Sequence, residues 1–223
     1  MNVQIFGFTG LLLCSFSFSK IPDPNPERFS ERFQKFARID QSSKSLTKNL
    51  TLFTGSSSIR MWESLESDFS EINPINRGFG GAHLSDVLHF YDQLFTKYLP
   101  NRIVIYCGEN DLWAGKPANQ VMSNFHTLWS KINKDLPSTT LIYLSCKPSP
   151  KRISKWNTYQ SLNLKIKNFA QREDKLTFID ISHTLLKPDR SFYPDLWNAD
   201  NLHLNQAGYN RWTRWIRPIL ERK

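Results

Sequence analysis

The sequence predicts an α/β domain in which a parallel sheet is covered by helices on both faces. Short runs rich in β-branched and aromatic residues alternate with longer stretches of helical period. The inner runs, such as residues 103–107 (IVIYC), are apolar throughout, as in strands that are buried on both faces. With 223 residues, 39% of them hydrophobic and 22% charged, the chain can bury one core without a disulfide or a metal, and a disordered or collagen-like class is excluded.

The predicted elements follow one another in regular order. An N-terminal helix is expected over residues 27–39, where Phe29, Phe33 and Phe36 recur at helical spacing. The predicted strands are residues 50–54, 72–76, 103–107, 140–144 and 176–180. The remaining predicted helices are residues 58–68, 83–98, 117–135, 154–172 and 205–221. In a sheet of this kind functional residues lie in the loops beyond the carboxyl ends of the strands.

The first nineteen residues are predicted to be a signal peptide. They carry no charged side chain, and the apolar stretch from Ile5 to Phe18 has the length of a signal-peptide core. Two serines occupy the −3 and −1 positions of a cut before Lys20, but no basic residue precedes the stretch, so an uncleaved anchor or a misassigned start is the alternative. We therefore expect a periplasmic or secreted protein without stable membrane insertion, divided into a leader (1–19), a spacer and helix (20–47) and the main domain (48–223).

The net charge of +9 does not by itself indicate a nucleic-acid partner. Lys and Arg are spread along the chain without a block of five or six, so we expect no nucleic-acid binding, and the charge would act only as a steering field for anionic partners. Cys14 lies in the predicted leader, and Cys107 and Cys146 form no metal-ligand pattern. Buried free thiols are expected at both positions, and a disulfide between them is the less favoured alternative.

Four loops, each beyond a predicted strand, carry the candidate functional residues. They are residues 55–62 (GSSSIRMW), 76–81 (NRGFGG), 108–111 (GEND) and 200–209 (DNLHLNQAGY). Taken singly, each has a simpler interpretation: helix capping by serine or asparagine, a flexible glycine turn, or a surface Asp–His pair. Taken together, they would place a serine, an Asp-supported histidine, glycine N–H groups and an asparagine amide at one edge of the sheet. Those are the groups that acyl transfer requires.

These strings together resemble the SGNH, or GDSL-type, serine hydrolases, whose four blocks supply Ser57, Gly81, Asn110 and His203 here. They are especially similar to a bacterial GDSL esterase/lipase subgroup related to the platelet-activating-factor acetylhydrolase subunits. The resemblance covers about residues 48–218. It implies the SGNH hydrolase fold, a flavodoxin-like three-layer α/β/α sandwich with a parallel five-stranded sheet, and a carboxylic-ester hydrolase.

The resemblance also implies a role for each residue. Ser57 would be the nucleophile, His203 the base and Asp200 its supporting carboxylate. The backbone N–H groups of Ser57 and Gly81 and the side-chain amide of Asn110 would form the oxyanion hole. It implies no cofactor and no metal, and a small-molecule ester with a short acyl group, either an O-acetylated sugar or a lipid-like ester. The alternatives are an O-acetyltransferase, or a catalytically silent exported module that binds an anionic glycan or a membrane surface; the oligomeric state is not predicted.

Three further features bear on the predicted cleft. The Asp and Leu of the GDSL name are replaced by Ser56 and Ser58, which alters the hydrogen bonds expected around the nucleophile without removing a catalytic group. Arg60 and Arg77 flank the cleft; solvation at the surface is the simpler interpretation, and attraction of an anionic substrate is the alternative. The loop at residues 147–152 either shapes the substrate site or forms a rigid turn, and the sequence favours neither.

Overall fold

A computed structural model of the chain describes residues 20–42 and 49–221. The strands are β1 (Thr51–Gly55), β2 (Pro74–Gly78), β3 (Arg102–Tyr106), β4 (Thr140–Leu144) and β5 (Leu176–Ile179). The helices are α1 (Ser30–Ser42), α2 (Ser57–Arg60), α3 (Leu65–Asp68), α4 (Leu84–His89), α5 (Glu109–Trp113), α6 (Ala118–Asp135), α7 (Trp156–Ala170) and α8 (Gln206–Leu220). The predicted leader, with Cys14, lies outside the described residues.

The five strands form one parallel sheet in the order β2-β1-β3-β4-β5. This is the flavodoxin-like order, and it confirms the predicted fold class. The chain first adds β2 on one side of β1 and then β3 on the other, so the direction of winding reverses between β1 and β3. Ligands of doubly wound sheets bind in the crevice at this reversal, outside the carboxyl ends of the two strands.

Alternate side chains of the central strands fill two cores, one on each face of the sheet. Leu52 and Ile103 belong to the core beneath α1, α4, α6 and α7, whereas Phe53 and Val104 belong to the core beneath α2, α3 and α8. All four side chains are fully buried, which explains why these strands are apolar at every position. The basic and aromatic helix α8 buries Trp212 completely, so its charged side chains form the outer face.

Helix α1 packs onto the domain through apolar and ionic contacts. The Phe33 ring stacks on the Phe90 ring at 3.8 Å between centroids. The carboxylate of Asp40 accepts hydrogen bonds from Arg77 Nη2 (2.5 Å) and from the Tyr98 hydroxyl (2.7 Å). Burial opposes the ionisation of Asp40, but the hydrogen bonds from Lys97, Tyr98 and Arg77 outweigh it and lower its pKa. Arg77 is therefore buried beneath α1, and both interpretations of it as a surface or cleft residue are wrong.

Residues 20–25, before the helix, are also attached to the domain. The Lys116 ammonium, which is itself buried, contacts both Asp23 (2.6 Å) and Asp111 (3.0 Å). Ile21 exchanges two hydrogen bonds with the side chain of Gln120, one through its N–H (3.1 Å) and one through its carbonyl (2.6 Å). The Pro-rich segment that precedes the helix is thus held against the part of the chain after β3, from α5 to the start of α6.

Two predicted helices are divided. The stretch 58–68 forms the separate short helices α2 and α3, and the stretch 83–98 forms α4 followed by a π-helical turn at Asp92–Thr96. Phe90, Tyr91, Leu94 and Phe95 are all buried, and the wider turn allows this broad group of apolar side chains to face the core. Strand β2 begins two residues later than predicted, after Asn73 adopts a left-handed conformation (φ +50°).

The cysteines beside β3 and β4 agree with the favoured prediction. Cys107 and Cys146 are free thiols, and both are buried. The hydroxyl of Tyr143 donates to the carbonyl of Cys107 (2.5 Å) and lies 3.6 Å from the sulfur of Cys146. Within residues 20–42 and 49–221, no helix has the length and apolar character that crossing a membrane would need.

Candidate active site

The predicted nucleophile lies at the sharp turn between β1 and α2. Gly55, the last residue of β1, has φ +111°, and a Cβ atom there would lie 2.0 Å from the carbonyl oxygen of Tyr106 on β3. Only glycine permits this close approach. Ser56 and Ser58 are 3% and 2% exposed, whereas Ser57 is half-buried and reaches a surface cavity. Ser56 makes no capping hydrogen bond, so the capping interpretation does not account for it.

A serine, a histidine and an aspartate lie in line at this turn. The hydroxyl of Ser57 lies 2.9 Å from Nε2 of His203, and Nδ1 of His203 lies 2.5 Å from the carboxylate of Asp200. A carboxylate partner holds the imidazole proton on Nδ1 and leaves Nε2 free to accept the proton of the serine hydroxyl.

The backbone after Asp200 keeps its carboxylate ionised. Its Oδ1 accepts hydrogen bonds from the N–H groups of Leu202 (2.9 Å) and His203 (3.0 Å), which the left-handed conformation of Asn201 (φ +54°) brings into position. Desolvation opposes ionisation, but these N–H groups and the imidazole outweigh it and lower the pKa of Asp200 to about 2. The carboxylate is therefore charged at neutral pH beside the imidazole.

The glycine loop after β2 presents backbone N–H groups to the same cavity. Gly81 has φ +84°, and a Cβ atom there would meet nothing within 4 Å, so its left-handed conformation alone favours glycine. Among the hydrogen bonds of the described residues, none uses the N–H of Gly81 or of Ser57. Both donors are available to a ligand.

Asn110 completes the predicted set, and its neighbours determine its orientation. Its Oδ1 accepts a hydrogen bond from Nη1 of Arg152 (3.0 Å), and its Nδ2 donates to the carbonyl of Ala82 (3.1 Å). Because a guanidinium only donates, the amide oxygen must face Arg152, and the second N–H of the amide is then free for the cavity. The residue before α5 is Gly108, with φ +115°, so Asn110 does not cap this helix.

A buried ionic cluster lies beneath Asn110, and the sequence reasoning missed it. Glu109, which is 3% exposed, pairs with Lys147 Nζ (3.0 Å) and with Arg152 Nη1 (2.9 Å) and contacts the Tyr106 hydroxyl. Burial opposes its ionisation, but Lys147 and Arg152 outweigh it and lower the pKa of Glu109. The sequence does carry a signal for this cluster, because a glutamate follows β3 and a basic loop follows β4. These two strands are neighbours in the sheet, so the residues that follow them come close together. The loop at 147–152 therefore shapes the site.

The cavity beside Ser57 has a volume of about 470 Å³. Ser57, Gly81, Asn110 and His203 all line it, so the fold brings together the four residues that the sequence singled out. The other main lining residues are Phe29, Arg32, Arg60, Phe79, Gly80, Arg152 and Leu202. Phe29 and Arg32 come from the N-terminal segment, and nothing in the sequence indicates that this segment reaches the site.

A sequence model of the GDSL-like lipase/acylhydrolase family matches residues 45–211. The chain belongs to this family. Family membership confirms the predicted class of carboxylic-ester hydrolase. No curated protein sequence matches the chain.

Solved structures of the same fold agree with this assignment. A Streptococcus pneumonia protein named after platelet activating factor has a TM-score of 0.75 at 21% identity. The alignment covers 86% of this chain and 93% of that protein. A GDSL-like lipase from Bacteroides thetaiotaomicron has a TM-score of 0.70 at 20% identity, with coverage of 88% and 97%. An acetylxylan esterase from Geobacillus stearothermophilus has a TM-score of 0.63 at 15% identity, with coverage of 81% and 98%. At these identities the similarity concerns the fold.

Proposed function

We propose that this chain is a serine esterase that hydrolyses short-chain carboxylic esters with Ser57 as nucleophile. The observation that carries the proposal is the continuous contact from the Ser57 hydroxyl through the His203 imidazole to the Asp200 carboxylate, at 2.9 Å and 2.5 Å. This arrangement can remove the proton from a serine hydroxyl and stabilise the imidazolium that results.

In the first half of the reaction the Ser57 oxygen attacks the ester carbonyl while its proton passes to Nε2 of His203. The N–H groups of Ser57 and Gly81 and the free N–H of the Asn110 amide donate to the oxyanion. His203 then returns the proton to the leaving alcohol, and an acyl-enzyme remains on Ser57.

In the second half a water molecule replaces the alcohol. His203 accepts a proton from the water as it attacks the acyl carbonyl, the same three donors stabilise the second oxyanion, and the proton returns to Ser57 as the acid leaves. Asp200 stays ionised through both halves, because its pKa is held at about 2.

Short acyl esters are the substrates that we propose. Among the described residues that line it, the cavity of about 470 Å³ has only three apolar side chains, Phe29, Phe79 and Leu202, so it offers a short apolar surface to an acyl chain. Acetylxylan esterase is the printed activity of one structural neighbour, and mutants described as catalytic in that protein replace a serine and a histidine. An O-acetylated sugar or a small lipid-like ester fits the proposal, and acetyl transfer to another alcohol is its nearest variant.

A fluorophosphonate probe tests the nucleophile. We expect the wild-type protein to be labelled and to cleave p-nitrophenyl acetate, and we expect Ser57→Ala to do neither. Ser58→Ala is the matched control, because this neighbouring serine is buried and should remain dispensable for labelling. Labelling that persists in Ser57→Ala, or that is lost equally in Ser58→Ala, would remove Ser57 from the mechanism.

Export is the remaining part of the proposal. It rests on the uncharged, apolar character of residues 1–19. N-terminal sequencing of the protein recovered from a bacterial periplasm should begin at Lys20. Retention of the full chain in the cytoplasm would contradict export and would leave the esterase proposal unchanged.

A further inference from the structure

The arginine side chains that line the cavity beside Ser57 give it a positive charge. Three arginines line it (Arg32, Arg60 and Arg152), and no Asp or Glu of the described chain lies among its main lining residues. Asp200 lies behind His203 and pairs with the imidazole. A substrate that enters this cavity therefore meets positive charge on several sides.

A carboxylate beneath the cavity partly neutralises the charge of Arg152. Its guanidinium contacts Glu109, but the same carboxylate also pairs with the buried ammonium of Lys147. Two cations share one anion, so this cluster carries a net charge of +1. Since Arg152 also holds the Asn110 amide, its role combines charge with the positioning of a proposed oxyanion donor.

Arg32 and Arg60 form no ion pair with any described residue. Arg32 donates through Nη2 to the carbonyl of Gly78 (3.2 Å), while its buried Nε has no hydrogen-bond partner. Burial, and then the positive charges of Arg60 and Arg77, lower the pKa of Arg32. Arg77 pairs with Asp40, which it shares with Lys97, whereas Arg32 and Arg60 contact no carboxylate in the described part of the chain.

The glycine loop leaves space for the Arg60 guanidinium. A Cβ atom at position 80 would lie 2.7 Å from Nε of Arg60, so a residue larger than glycine there would displace the side chain. Arg60 thus packs against the loop that carries Gly81, next to the proposed oxyanion hole. Arg32 reaches this place from α1, which precedes the residues that match the family model. The pair therefore joins one residue of the N-terminal segment, Arg32, to one residue of the turn that carries Ser57, Arg60.

The Arg32 guanidinium is half-buried without a carboxylate partner, which is unfavourable unless an anion binds it, and the exposed Arg60 side chain lines the same cavity. We propose that Arg32 and Arg60 bind an anionic group of the substrate, a carboxylate or a phosphate, while the scissile ester carbonyl lies at Ser57. The proposal rests on ester hydrolysis at Ser57 and adds the substrate class: an anionic ester. Guanidinium groups suit both anions, because their planar array of donors matches two oxygen atoms at once.

Matched ester probes test the proposal. On the alcohol side, 4-acetoxybenzoate and 4-acetoxyphenyl phosphate are compared with the neutral methyl 4-acetoxybenzoate. On the acyl side, phenyl hydrogen adipate is compared with methyl phenyl adipate. The measured quantity is the ratio of kcat/KM for the anionic ester to that for its neutral partner, which cancels general effects of a substitution on catalysis. The carboxylate and phosphate arms show which anion is preferred.

We expect Arg60→Gln and Arg32→Gln each to lower this ratio by about tenfold for at least one pair, because each removes a charge-assisted contact. Arg60→Lys should retain part of the preference, since it keeps the charge and loses only the paired donors. Arg172→Gln is the matched control: it removes the same charge from an exposed position after α7, away from the cavity, and should leave the ratio unchanged.

The outcomes separate this inference from the proposed function. Hydrolysis of the neutral esters with the same ratios in wild type, Arg32→Gln and Arg60→Gln would overturn the anionic substrate class and leave ester hydrolysis in place. A ratio that falls equally in Arg172→Gln would also overturn it, because general electrostatic steering would then explain the preference. Failure of the wild-type protein to cleave any of the five probes would overturn both.

Discussion

Replacing Asn110 by alanine gives a direct measure of the proposed oxyanion hole. One N–H of the amide is bound to the carbonyl of Ala82, and the oxygen is bound to Arg152, so the second N–H is held toward the cavity before substrate arrives. Loss of one preorganised oxyanion donor lowers kcat by about 10²–10³, or about 2.7–4 kcal/mol of transition-state stabilisation. We expect Asn110→Ala to lose kcat in this range with little change in KM.

The structure also sets the effect on stability. Asn110→Ala removes a neutral hydrogen bond, at about 1 kcal/mol, and one from a charged donor, at about 1.5–3 kcal/mol. Arg152 keeps its bond to Glu109, so the combined loss should lie at the low end, at about 2.5 kcal/mol. Urea unfolding measures this loss, and kinetics with p-nitrophenyl acetate measure kcat on protein shown to be folded.

Arg152→Met is the comparison variant. It removes the bond to the amide oxygen and the ion pair with Glu109, which keeps its pair with Lys147. The bond from the amide to Ala82, at about 1 kcal/mol, remains to orient the amide, so the correct orientation still predominates. Its kcat should therefore fall less than that of Asn110→Ala. A kcat for Asn110→Ala within about twofold of wild type would refute the reasoning, as would an equal loss in both variants.

Three other substitutions probe the site and the fold. Asp200→Asn should lower kcat by about 10⁴ while the protein stays folded, because the amide no longer fixes the imidazole proton on Nδ1. Asp40→Asn should lower the free energy of unfolding at pH 7 by about 3 kcal/mol, because it removes the carboxylate that pairs with the buried Arg77. The pKa of Asp40 is lowered by folding, so this difference is fully present above about pH 4 and disappears as the pH falls further. Gly55→Ala should destabilise far more than Gly115→Ala: both have positive φ, but the new Cβ lies 2.0 Å from a backbone carbonyl in the first and 3.6 Å from a flexible side chain in the second.

For each of these substitutions, one result would contradict the prediction. Turnover by Asp200→Asn within about tenfold of wild type would show that another group orients the imidazole. A constant stability difference between wild type and Asp40→Asn from pH 7 down to pH 3 would exclude the carboxylate charge as its cause. Equal urea midpoints for the two glycine variants would mean that the turn after β1 relaxes without cost.

The strands could be predicted within two residues because burial on both faces makes them continuous apolar runs. Val104 and Ile142, for example, have apolar neighbours on either side along the chain and are almost fully buried. The helix at 83–98 could not be predicted in its true form. Its apolar spacing fits an ordinary helix, and the π-helical turn at Asp92–Thr96 depends on how several adjacent aromatic residues pack in the core.

The candidate catalytic residues could be found from the sequence because each lies close to the end of an element. Ser57 follows β1, Asn110 follows β3, and a parallel sheet brings such positions to one edge. Which of three adjacent serines faces the cavity follows from burial: Ser56 and Ser58 point into the protein. The resemblance to the family already points to Ser57, whereas the composition of the loop alone does not distinguish the three serines.

The charge around the site could not be predicted, because it depends on contacts between distant segments. Arg32 reaches Gly78 across 46 positions, and Arg77 reaches Asp40 across 37. From the sequence, Arg77 is expected at the surface or the cleft and Arg32 is not singled out, yet Arg77 pairs with Asp40 beneath α1 and Arg32 faces the cavity without a carboxylate.

Helix α1 therefore links stability to substrate choice. The Asp40 end of the helix holds it to the domain through Arg77 and Tyr98, and this attachment determines where Arg32, two turns earlier, meets the cavity. The loops shared with the family can supply the nucleophile, base and oxyanion donors without this helix, since those residues contact one another directly. Phe29 and Arg32 add an apolar side chain and a positive charge to that centre, so we expect substitutions in the segment before residue 45 to change which ester the chain accepts.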